Sequence, residues 1–402
     1  MIDIHKDTHN YFFIFLIGVK KIIFVLFVFC IAFSCRKQTE NSLDVIKIDV
    51  DMKASVKQPI ETFFSAIEVV PLETTEESLL KKCGKVIFNN DKYYILDEGQ
   101  HVIFVFDKHG HFIRSSKHKQ GRGPGEYGTI MDFDFNPQTG YIEILDVSSY
   151  KIRRYDEDFN FINEFIYPKT MYNASFFSTF KAITSDLLVF YSSSGPVRDK
   201  DVLLLYSTSK NELIKRVEIQ SIKHRLGITQ EYSFYMRDSA LFFTNKYPNN
   251  DIYQILYNEE EIKRVVEFHF GEHTFCISDM SERSFENGNF IEMNNDRFAF
   301  PQAKYENDSS YFSIVYFKNE LHLVTYNKKT KQTKVVPCKF SNGGMILPPK
   351  FVDNTYFYVI AEPDWIEMMI VKDLLDIQSQ EIIETLKEDD NPVLLKYKLV
   401  YK

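Results

Sequence analysis

Residues that could bind a metal ion or a ligand concentrate between positions 101 and 134. Histidine is a common metal ligand, and four histidines fall within eighteen residues: His101, His109, His111 and His118. A glycine-rich stretch, Gly121–Tyr127 (GRGPGEY), follows them. Asp132 and Asp134 come next and alternate along a predicted strand, which places both carboxylates on one side. These residue types suit a metal site, a phosphate-binding loop or a cation site, so the elements that position them decide between the three.

A repeat at an offset of 49 residues surrounds this region. Ile95–Asp97 (ILD) recurs as Ile144–Asp146 (ILD), and each copy lies among short apolar strands and polar turns. A period near 50 residues built from short strands is typical of a β-propeller blade. The 37 Phe and 24 Tyr residues also favour β structure. Asp97 and Asp146 each end a strand, and we predict that they accept hydrogen bonds from backbone amides of the adjacent turn.

The pattern therefore predicts an all-β fold, a six-bladed β-propeller in residues 45–402, with seven blades as the alternative. The strand at 66–72 and the last strand, 393–399, are predicted to pair in one blade, which would close the ring and remove exposed edges. Helical spacing of apolar residues between 375 and 386 predicts a short helix before the last strand.

The later repeats are more degenerate than the first two. Blade five is predicted to begin with strands at 290–293 and 298–300. Blade six is predicted to begin near residue 350 and to include strands at 356–361 and 368–371.

The predicted topology places the glycine-rich stretch on one end of the ring. Strands alternate in direction from the channel outward, so second-to-third-strand turns share an end with the crossovers between blades. GRGPGEY is predicted to be the crossover from blade one to blade two, among loops on a rigid scaffold, where binding sites concentrate. The candidate ligand contacts on this end are Arg122, Glu126, Tyr127, His101, Tyr150 and Tyr247.

A purely structural interpretation of the same stretch stays open. The glycines can adopt positive φ in a tight crossover, Tyr127 can pack between blades, and Glu126 can pair with Arg122. A phosphate-binding loop is not expected, because the stretch opens no helix and lacks the Lys-Ser/Thr that would follow.

The same topology divides the histidines. His109 and His111 flank a third-to-fourth-strand turn, on the opposite end of the ring from His101 and His118, so no metal site and no cofactor are expected. Asp132 and Asp134 could bind a cation near the channel, although hydrogen-bonded strand residues are the simpler interpretation.

The N-terminus has the pattern of an export signal. Lys20 and Lys21 precede twelve apolar residues, and the sequence Ala32–Cys35 (AFSC) resembles a bacterial lipobox. We predict a lipoprotein signal peptide at 1–34, lipidation of Cys35 and a flexible tether at 35–44. An uncleaved membrane anchor and a plain signal peptide are the alternatives.

The charge of the chain argues against one class of partner. The formal net charge of −8, without a basic block, argues against nucleic-acid binding.

The cysteines predict no disulfide framework. Beyond the signal and Cys35, the remaining cysteines are Cys83, Cys276 and Cys338, which are too scattered for one. Buried thiols are expected, with a Cys276–Cys338 bridge as the alternative.

Three motifs together resemble the six-bladed β-propeller lipoproteins of Bacteroidetes: GRGPGEY (121–127), NDIYQI (250–255) and DNPVL (390–394). The resemblance covers roughly residues 45–402. It implies a six-bladed fold and a cell-envelope location, attached to the outer membrane through the lipid, and it supplies no catalytic residues.

Two functions are weighed. The first is a lipid-anchored, non-catalytic binding or scaffold module for a glycan, a peptide or an envelope protein. The second is a propeller enzyme, a lyase or hydrolase, with its site in the central channel. No Gly-x-Ser-x-Gly elbow is present, which favours the first. Titratable residues with strongly shifted pKa values at the channel mouth would favour the second.

Overall fold

The computed structural model describes residues 45–167, 177–193, 200–220, 233–245, 249–258, 261–276 and 290–400. Six small sheets, antiparallel apart from one added strand, are arranged in a ring and form a six-bladed β-propeller. The strand β1 (Ile46–Asp49) and the strand β2 (Phe64–Pro71) come first in the chain. The sheets that follow are numbered as blades in chain order.

Each blade is given from its innermost strand outward. Blade one contains β3 (Cys83–Asn89), β4 (Lys92–Asp97), β5 (Val102–Asp107) and β6 (Phe112–Ser115). Blade two contains β7 (Ile130–Phe135), β8 (Ile142–Asp146), β9 (Lys151–Tyr155) and β10 (Phe161–Ile166). Blade three contains β11 (Phe177–Ala182), β12 (Leu187–Ser193), β13 (Lys200–Ser207) and β14 (Glu212–Gln220).

The remaining blades follow the same order. Blade four contains β15 (Phe234–Arg237), β16 (Ala240–Phe243), β17 (Asp251–Leu256), β18 (Glu261–His269) and, outermost, β1. Blade five contains β19 (Phe300–Glu306), β20 (Ser310–Phe317), β21 (Glu320–Asn327) and β22 (Gln332–Pro337). Blade six contains β23 (Phe351–Val352), β24 (Tyr356–Ala361), β25 (Val393–Leu399) and, outermost, β2.

The helices of the described segments are short. Their α-helices are α1 (Phe290–Asn294), α2 (Ile366–Met369) and α3 (Ile377–Thr385). The 3-10 turns are Met52–Ala54, Ile60–Thr62, Ser116–Lys119, Gly271–His273, Pro363–Trp365 and Lys372–Leu374. Among the described residues, no helix has the length and apolar character needed to cross a lipid bilayer.

β2, from the first part of the chain, meets the late strand β25 in blade six, which confirms the predicted closure of the ring. β2 pairs antiparallel with β25, with Val69 opposite Leu395. The predicted helix is α3, which the Asp376 side chain caps by accepting from Ser379 N at 2.7 Å. The Ser379 hydroxyl in turn accepts from Val69 N at 3.0 Å, so α3 covers the outer edge of the closing blade.

Two predicted strands are wrong, because short apolar runs do not distinguish a strand from a helix. Residues 290–293 lie in α1, with Phe290 and Ile291 buried, and blade five begins instead at Phe300. Residues 366–369 form α2, where the buried Ile366 and Met369 have the three-residue spacing of one helical face. Residues 368–371 therefore supply no strand to blade six.

The strand β1 was not predicted. It pairs in parallel with β18 as a fifth strand of blade four. Residues 46–63, here called the N-terminal strap, continue from blade four past the outer side of blade five. Ser341 N donates to the Gln58 carbonyl at 3.0 Å, and Asn342 Nδ2 donates to the Glu61 carboxylate at 2.9 Å. The strap therefore links three blades before β2 closes the ring.

Cys338 is buried and carries a free thiol, so the alternative Cys276–Cys338 bridge is not formed. Burial raises the pKa of this thiol well above its ordinary value.

Candidate binding site in the central channel

The glycine-rich crossover joins β6 to β7 and satisfies its own backbone. Gly121 N donates to the Tyr127 carbonyl, and Tyr127 N donates to the Lys119 carbonyl, both at 2.9 Å. Glu126 accepts from Gly123 N at 2.7 Å. Gly125 has φ +72°, and a β-carbon there would lie 2.7 Å from Phe161 Cγ. The stretch is therefore a closed loop in which glycine at 125 is required by both conformation and space.

Tyr127 packs between blades one and two, as the structural interpretation predicted. Its ring is fully buried among side chains of both sheets, including Ile103 and Phe133. Its hydroxyl lies 2.6 Å from the Ser116 hydroxyl and donates to the Ser116 carbonyl at 3.0 Å. Burial raises the pKa of Tyr127 well above its ordinary value. In this structure the side chain is not available to a ligand.

The other candidate contacts on this end differ in exposure. Arg122 is exposed, whereas Glu126, His101 and Tyr150 are half-buried. His101 and Tyr150 both have positive φ, at 56° and 61°, in equivalent second-to-third-strand turns of blades one and two. Nδ1 of His101 lies 3.1 Å from the Ile130 carbonyl oxygen. Tyr247 lies outside the described residues, and ligand binding by this group stays a prediction.

The strand-ending aspartates act as predicted. Asp97 accepts from the backbone amides of Lys81 and Gln100. Asp146 accepts from the amides of Gly128 and Thr129 at 3.2 and 3.3 Å. Both residues therefore join a second-to-third-strand turn to the segment that enters the same blade.

Asp146 also makes charged and hydroxyl contacts. It accepts from the hydroxyls of Ser148 and Ser149, each at 2.6 Å, and from Arg153 Nε at 3.2 Å. Burial raises the pKa of this carboxyl, but the hydrogen bonds outweigh burial and hold the pKa below its ordinary value.

Asp132 and Asp134 join blades two and three rather than forming an open cation site. Asp132 accepts from the Thr179 hydroxyl and from Phe180 N, and it pairs with Lys85 Nζ at 3.0 Å. Asp134 pairs with Lys181 Nζ at 2.7 Å and accepts from Ala182 N at 3.1 Å. The hydrogen-bonded interpretation of these two aspartates is therefore the one the structure supports.

The histidines are separated as the topology predicted. His101 lies in the turn between β4 and β5, and His118 in the 3-10 turn after β6. His109 and His111 follow β5 at its other end, and His111 Nδ1 lies 2.9 Å from Asp107 Oδ2. In the described part of the chain, no group of three or more His, Cys, Asp or Glu side chains is arranged to hold a metal.

A cavity with a volume of about 620 Å³ lies in the central channel. Every blade contributes to its wall through the innermost strand or the residues next to it. The wall includes the turns that follow three inner strands, at Asp238, Asn307 and Asp353. Because the glycine-rich crossover leads into the start of an inner strand, the cavity lies toward the opposite end of the ring from the predicted loops.

The cavity wall is formally neutral but rich in charge. Its five basic and five acidic side chains are Lys85, Lys181, Arg237, Lys304 and Lys350, with Asp134, Asp238, Glu306, Asp308 and Asp353. Many of these charges are bound to a neighbouring blade: Lys350 Nζ, for example, donates to the Cys83 carbonyl at 3.1 Å. Charges held this way are positioned before any ligand arrives.

Glu306 is the centre of the densest network. Its buried carboxylate accepts from Arg237 of blade four, from Lys328 Nζ at 2.5 Å and from the Tyr235 hydroxyl at 2.8 Å. Burial, together with the Glu306 charge, raises the pKa of Tyr235 well above its ordinary value. The phenol therefore stays protonated and donates to the carboxylate, fixing blade four against blade five.

Lys304 is a second titratable group on the wall whose pKa is strongly shifted. The residue is buried, and its amine donates to the Asn249 carbonyl of blade four. Burial lowers the pKa of Lys304 to about 7, although the Asp251 carboxylate raises it in part. A substantial fraction of this amine is therefore neutral at physiological pH.

Two buried polar atoms of wall residues retain unused hydrogen-bonding capacity. The Ser233 hydroxyl has no hydrogen-bond partner among the described residues, and neither has Arg237 Nε. Asp238 and Asp308 each approach that Nε to 3.5 Å. Buried polar groups are usually satisfied, so these two atoms are candidates for ligand contact. Both are covered in this structure, and a ligand group must displace a neighbouring side chain to reach them.

Apolar side chains accompany them on the wall. Phe88, Tyr235 and Phe351 come from blades one, four and six, and Phe88 and Met236 are exposed. Phe351 stacks on Tyr358 at 4.1 Å between centroids, and Tyr235 stacks on Phe242 at 5.1 Å. The aromatic rings are thus held by neighbouring strands. The sequence signals for this wall are two pairs of charged residues that alternate along a strand, Asp132 with Asp134 and Lys304 with Glu306.

Comparison with known proteins supports the fold. A family profile described as "Domain of unknown function (DUF4934)" matches residues 43–398. No curated protein sequence matches the chain significantly. A solved structure from Bacteroides fragilis NCTC 9343, described as a candidate exported protein, is 19% identical with a TM-score of 0.65, covering 89% of this chain and 100% of that chain.

Two further structures are more distant. A member of the DUF4221 family from Bacteroides vulgatus ATCC 8482 is 12% identical with a TM-score of 0.49, covering 84% of this chain and 99% of that chain. A streptogramin B lyase is 12% identical with a TM-score of 0.38, covering 84% and 98%. The B. fragilis structure shows a shared fold, whereas the other two likenesses are too low to support an argument.

Proposed function

This chain belongs to the DUF4934 family of domains of unknown function, and we propose that it is an exported, non-catalytic binding module whose central channel takes a short segment of a glycan. The observation on which this proposal depends is the cavity of about 620 Å³, in which aromatic side chains and two unused polar atoms share one wall. Small-molecule sites commonly have volumes of roughly 300–1,000 Å³ and combine apolar walls with a few placed polar groups.

The balance of charge favours a neutral ligand. Five basic and five acidic side chains line the cavity, and the partly neutral Lys304 leaves the wall at most one negative charge in excess (four positive against five negative). An acidic ligand therefore gains no net attraction, and a basic ligand gains little. A sugar ring is neutral, offers hydroxyls to Ser233 and Arg237, and presents an apolar face to rings such as Phe88 and Phe351. Because the wall is fixed by contacts between blades, the ligand would not have to order it on binding.

Screening an array of neutral and acidic oligosaccharides with the full-length chain tests the proposal. We expect Ser233→Ala to weaken binding of a hit about tenfold or more, because a buried donor to the ligand is lost, while the melting temperature stays unchanged. Ser55→Ala is the matched control, since the Ser55 hydroxyl also has no partner among the described residues but lies in the N-terminal strap, away from the channel.

Phe88→Ala is expected to weaken the same interaction by removing an exposed ring from the wall. Equal binding by the wild type, Ser233→Ala and Phe88→Ala would contradict the channel as the site. If the chain bound a peptide or an envelope protein but no glycan, the channel would have a ligand of that class instead of a glycan. If Arg122→Ala and Glu126→Ala weakened binding instead, the site would be the crossover end of the ring.

The N-terminal pattern supports attachment to the cell envelope through a lipid on Cys35, with the outer membrane as the proposed location. Incorporation of a clickable palmitate into the full-length chain, lost in Cys35→Ala, is the expected result. A mature N-terminus other than Cys35 would contradict it.

Lys304 supports an alternative function, an enzyme with its site in the channel. A lysine whose pKa is lowered to about 7 by burial can accept a proton at physiological pH, as the general base of a lyase or hydrolase would. If the chain cleaved a glycan that it binds, and if Lys304→Met abolished this activity while Ser55→Ala retained it, the enzyme would be favoured over the binding module.

A further inference from the structure

The connection between β24 and β25 carries an unusual concentration of negative charge. Residues 362–392, here called the blade-six insertion, contain ten acidic and two basic residues, so their net charge of −8 equals that of the whole chain. Among the described residues these ten carboxylates form no salt bridge. Burial, and then the neighbouring charge of Asp364, raises the pKa of Glu362.

Large apolar side chains are exposed within the same insertion. Trp365, Met368 and Ile377 are 48%, 51% and 77% exposed. Trp365 and Met368 are three residues apart, so they lie on the same side of the turn that leads into α2. Asp364 and Glu367 alternate with them and are also exposed. The surface at α2 is therefore both apolar and acidic.

The backbone beneath these side chains is held firmly by the propeller. Ile366 and Met369 are buried in the core of blade six, and the Tyr397 hydroxyl donates to the Met369 carbonyl at 2.7 Å. At the other end of the insertion, Asn391 Nδ2 donates to the Ser78 carbonyl at 2.9 Å. An exposed tryptophan on a fixed backbone loses little conformational entropy on binding, which is the property of an interface anchor.

We propose that the blade-six insertion is a docking surface for a cationic, partly apolar segment of another protein, with Trp365 and Met368 as its apolar anchors and the surrounding carboxylates as its charge partners. Charge complementarity identifies the occupant. A second copy of this chain would bring another net charge of −8 to the interface, and an anionic lipid surface would be repelled. This docking surface is separate from the channel and does not depend on the proposed function.

Trp365 provides a direct measurement, because it is the only tryptophan of the chain. The full-length chain is titrated with a lysine- and leucine-based amphipathic peptide of about 18 residues, long enough for five helical turns. The control is the same peptide with glutamate in place of lysine. We expect a blue shift of the emission with the basic peptide only, and an affinity that falls as salt concentration rises.

Variants are compared by fluorescence anisotropy of the labelled basic peptide, which does not require the tryptophan. Asp364→Asn combined with Glu367→Gln is expected to raise the Kd at least tenfold, and Trp365→Ala by a similar factor. The matched control combines Glu212→Gln with Asp296→Asn, two exposed acidic residues outside blade six, and is expected to leave the Kd unchanged. Melting temperatures identify any variant that loses its fold.

Equal Kd values for the wild type and the Asp364→Asn, Glu367→Gln variant would overturn the proposal. So would equal binding of the acidic peptide, preferential binding to vesicles of anionic or zwitterionic lipid, or self-association in sedimentation that Trp365→Ala abolishes.

Discussion

Gly125 and Phe161 approach so closely that a β-carbon on Gly125 would lie 2.7 Å from Cγ of the phenylalanine ring. Phe161 begins β10, the outermost strand of blade two, and the Tyr155 hydroxyl donates to the Gly125 carbonyl at 3.0 Å. The glycine-rich crossover therefore rests directly on the outer part of the blade it leads into.

Comparing Gly125→Ala with Gly140→Ala separates the cost of the backbone conformation from the cost of the steric contact with Phe161. Both glycines have φ near +70°, but a β-carbon at Gly140 would meet nothing within 4 Å. We expect Gly140→Ala to lower the free energy of unfolding by about 1 kcal/mol, through backbone conformation alone. Gly125→Ala should cost about 1–3 kcal/mol more, because the ring must also move. Urea denaturation of both variants measures the difference, and equal losses would contradict the steric contact.

Tyr127→Phe tests the buried phenol between blades one and two. Loss of the contacts with Ser116 is expected to lower the free energy of unfolding by about 1–2 kcal/mol, because a buried hydroxyl partner is left unsatisfied. Tyr141→Phe, in a half-buried turn position of blade two, is the control and should stay within about 0.5 kcal/mol of the wild type. An unchanged melting temperature in Tyr127→Phe would contradict this prediction, because it would show that the Tyr127 hydroxyl does not contribute to stability.

Asp146→Asn should destabilise the protein at neutral pH by about 2–4 kcal/mol, because Asp146 is buried and pairs with the buried Arg153. Its folded pKa lies below the ordinary value of 3.8, so the carboxylate stabilises the fold above that value and ceases to do so as the pH falls through the folded pKa. The difference in the free energy of unfolding between the wild type and Asp146→Asn, measured by urea denaturation, is therefore expected to narrow below pH 3.8. Asp156→Asn, in an exposed turn of the same blade, should show a smaller loss.

Lys304 predicts a pH dependence of the same sense as Asp146, but at higher pH. Its pKa is lowered from 10.5 to about 7 in the folded state, so between these values the unfolded chain binds a proton that the folded chain does not. This one group then makes stability rise with pH, by up to about 1.4 kcal/mol per pH unit. Lys304→Met should remove that rise between pH 7 and pH 9. Lys304→Arg, which keeps its charge when buried, should be less stable than Lys304→Met over the whole range from pH 7 to pH 9. If the free energies of unfolding of the wild type and Lys304→Met changed in parallel with pH, the lowered pKa of Lys304 would be contradicted.

The parts of the fold that were predictable are those with a local signal. The ILD repeat identified blades one and two, because Asp97 and Asp146 have the same task at the same place in each blade. Apolar strands at the two ends predicted the closure, because an unpaired edge is unfavourable in a ring. The short apolar runs near residues 290 and 366 carry no such local signal. These runs form helices because Phe290 and Ile366 are buried against neighbouring parts of the fold.

The channel was less accessible to sequence reasoning than the loops. Its wall combines residues far apart in the chain, such as Phe88, Ser233 and Phe351, and nothing in each separate strand indicates that the three share a cavity. Lys304 and Glu306 alternate as in a solvent-facing strand, yet both are buried because blade four covers that side of β19. Tertiary contact between blades, rather than local pattern, sets the properties of these side chains.

The closing strand pair has a consequence for the order in which the protein can fold. Lys396 Nζ pairs with the Glu68 carboxylate across 328 positions of sequence. During synthesis or export, β2 emerges first and cannot form this pair until β25 has also emerged. Contacts of such separation are slow to form because the intervening chain must first be brought together. The strands of blades one to three all emerge earlier than β25. A partly emerged chain is therefore an open row of sheets, which becomes a ring only when β25 pairs with β2.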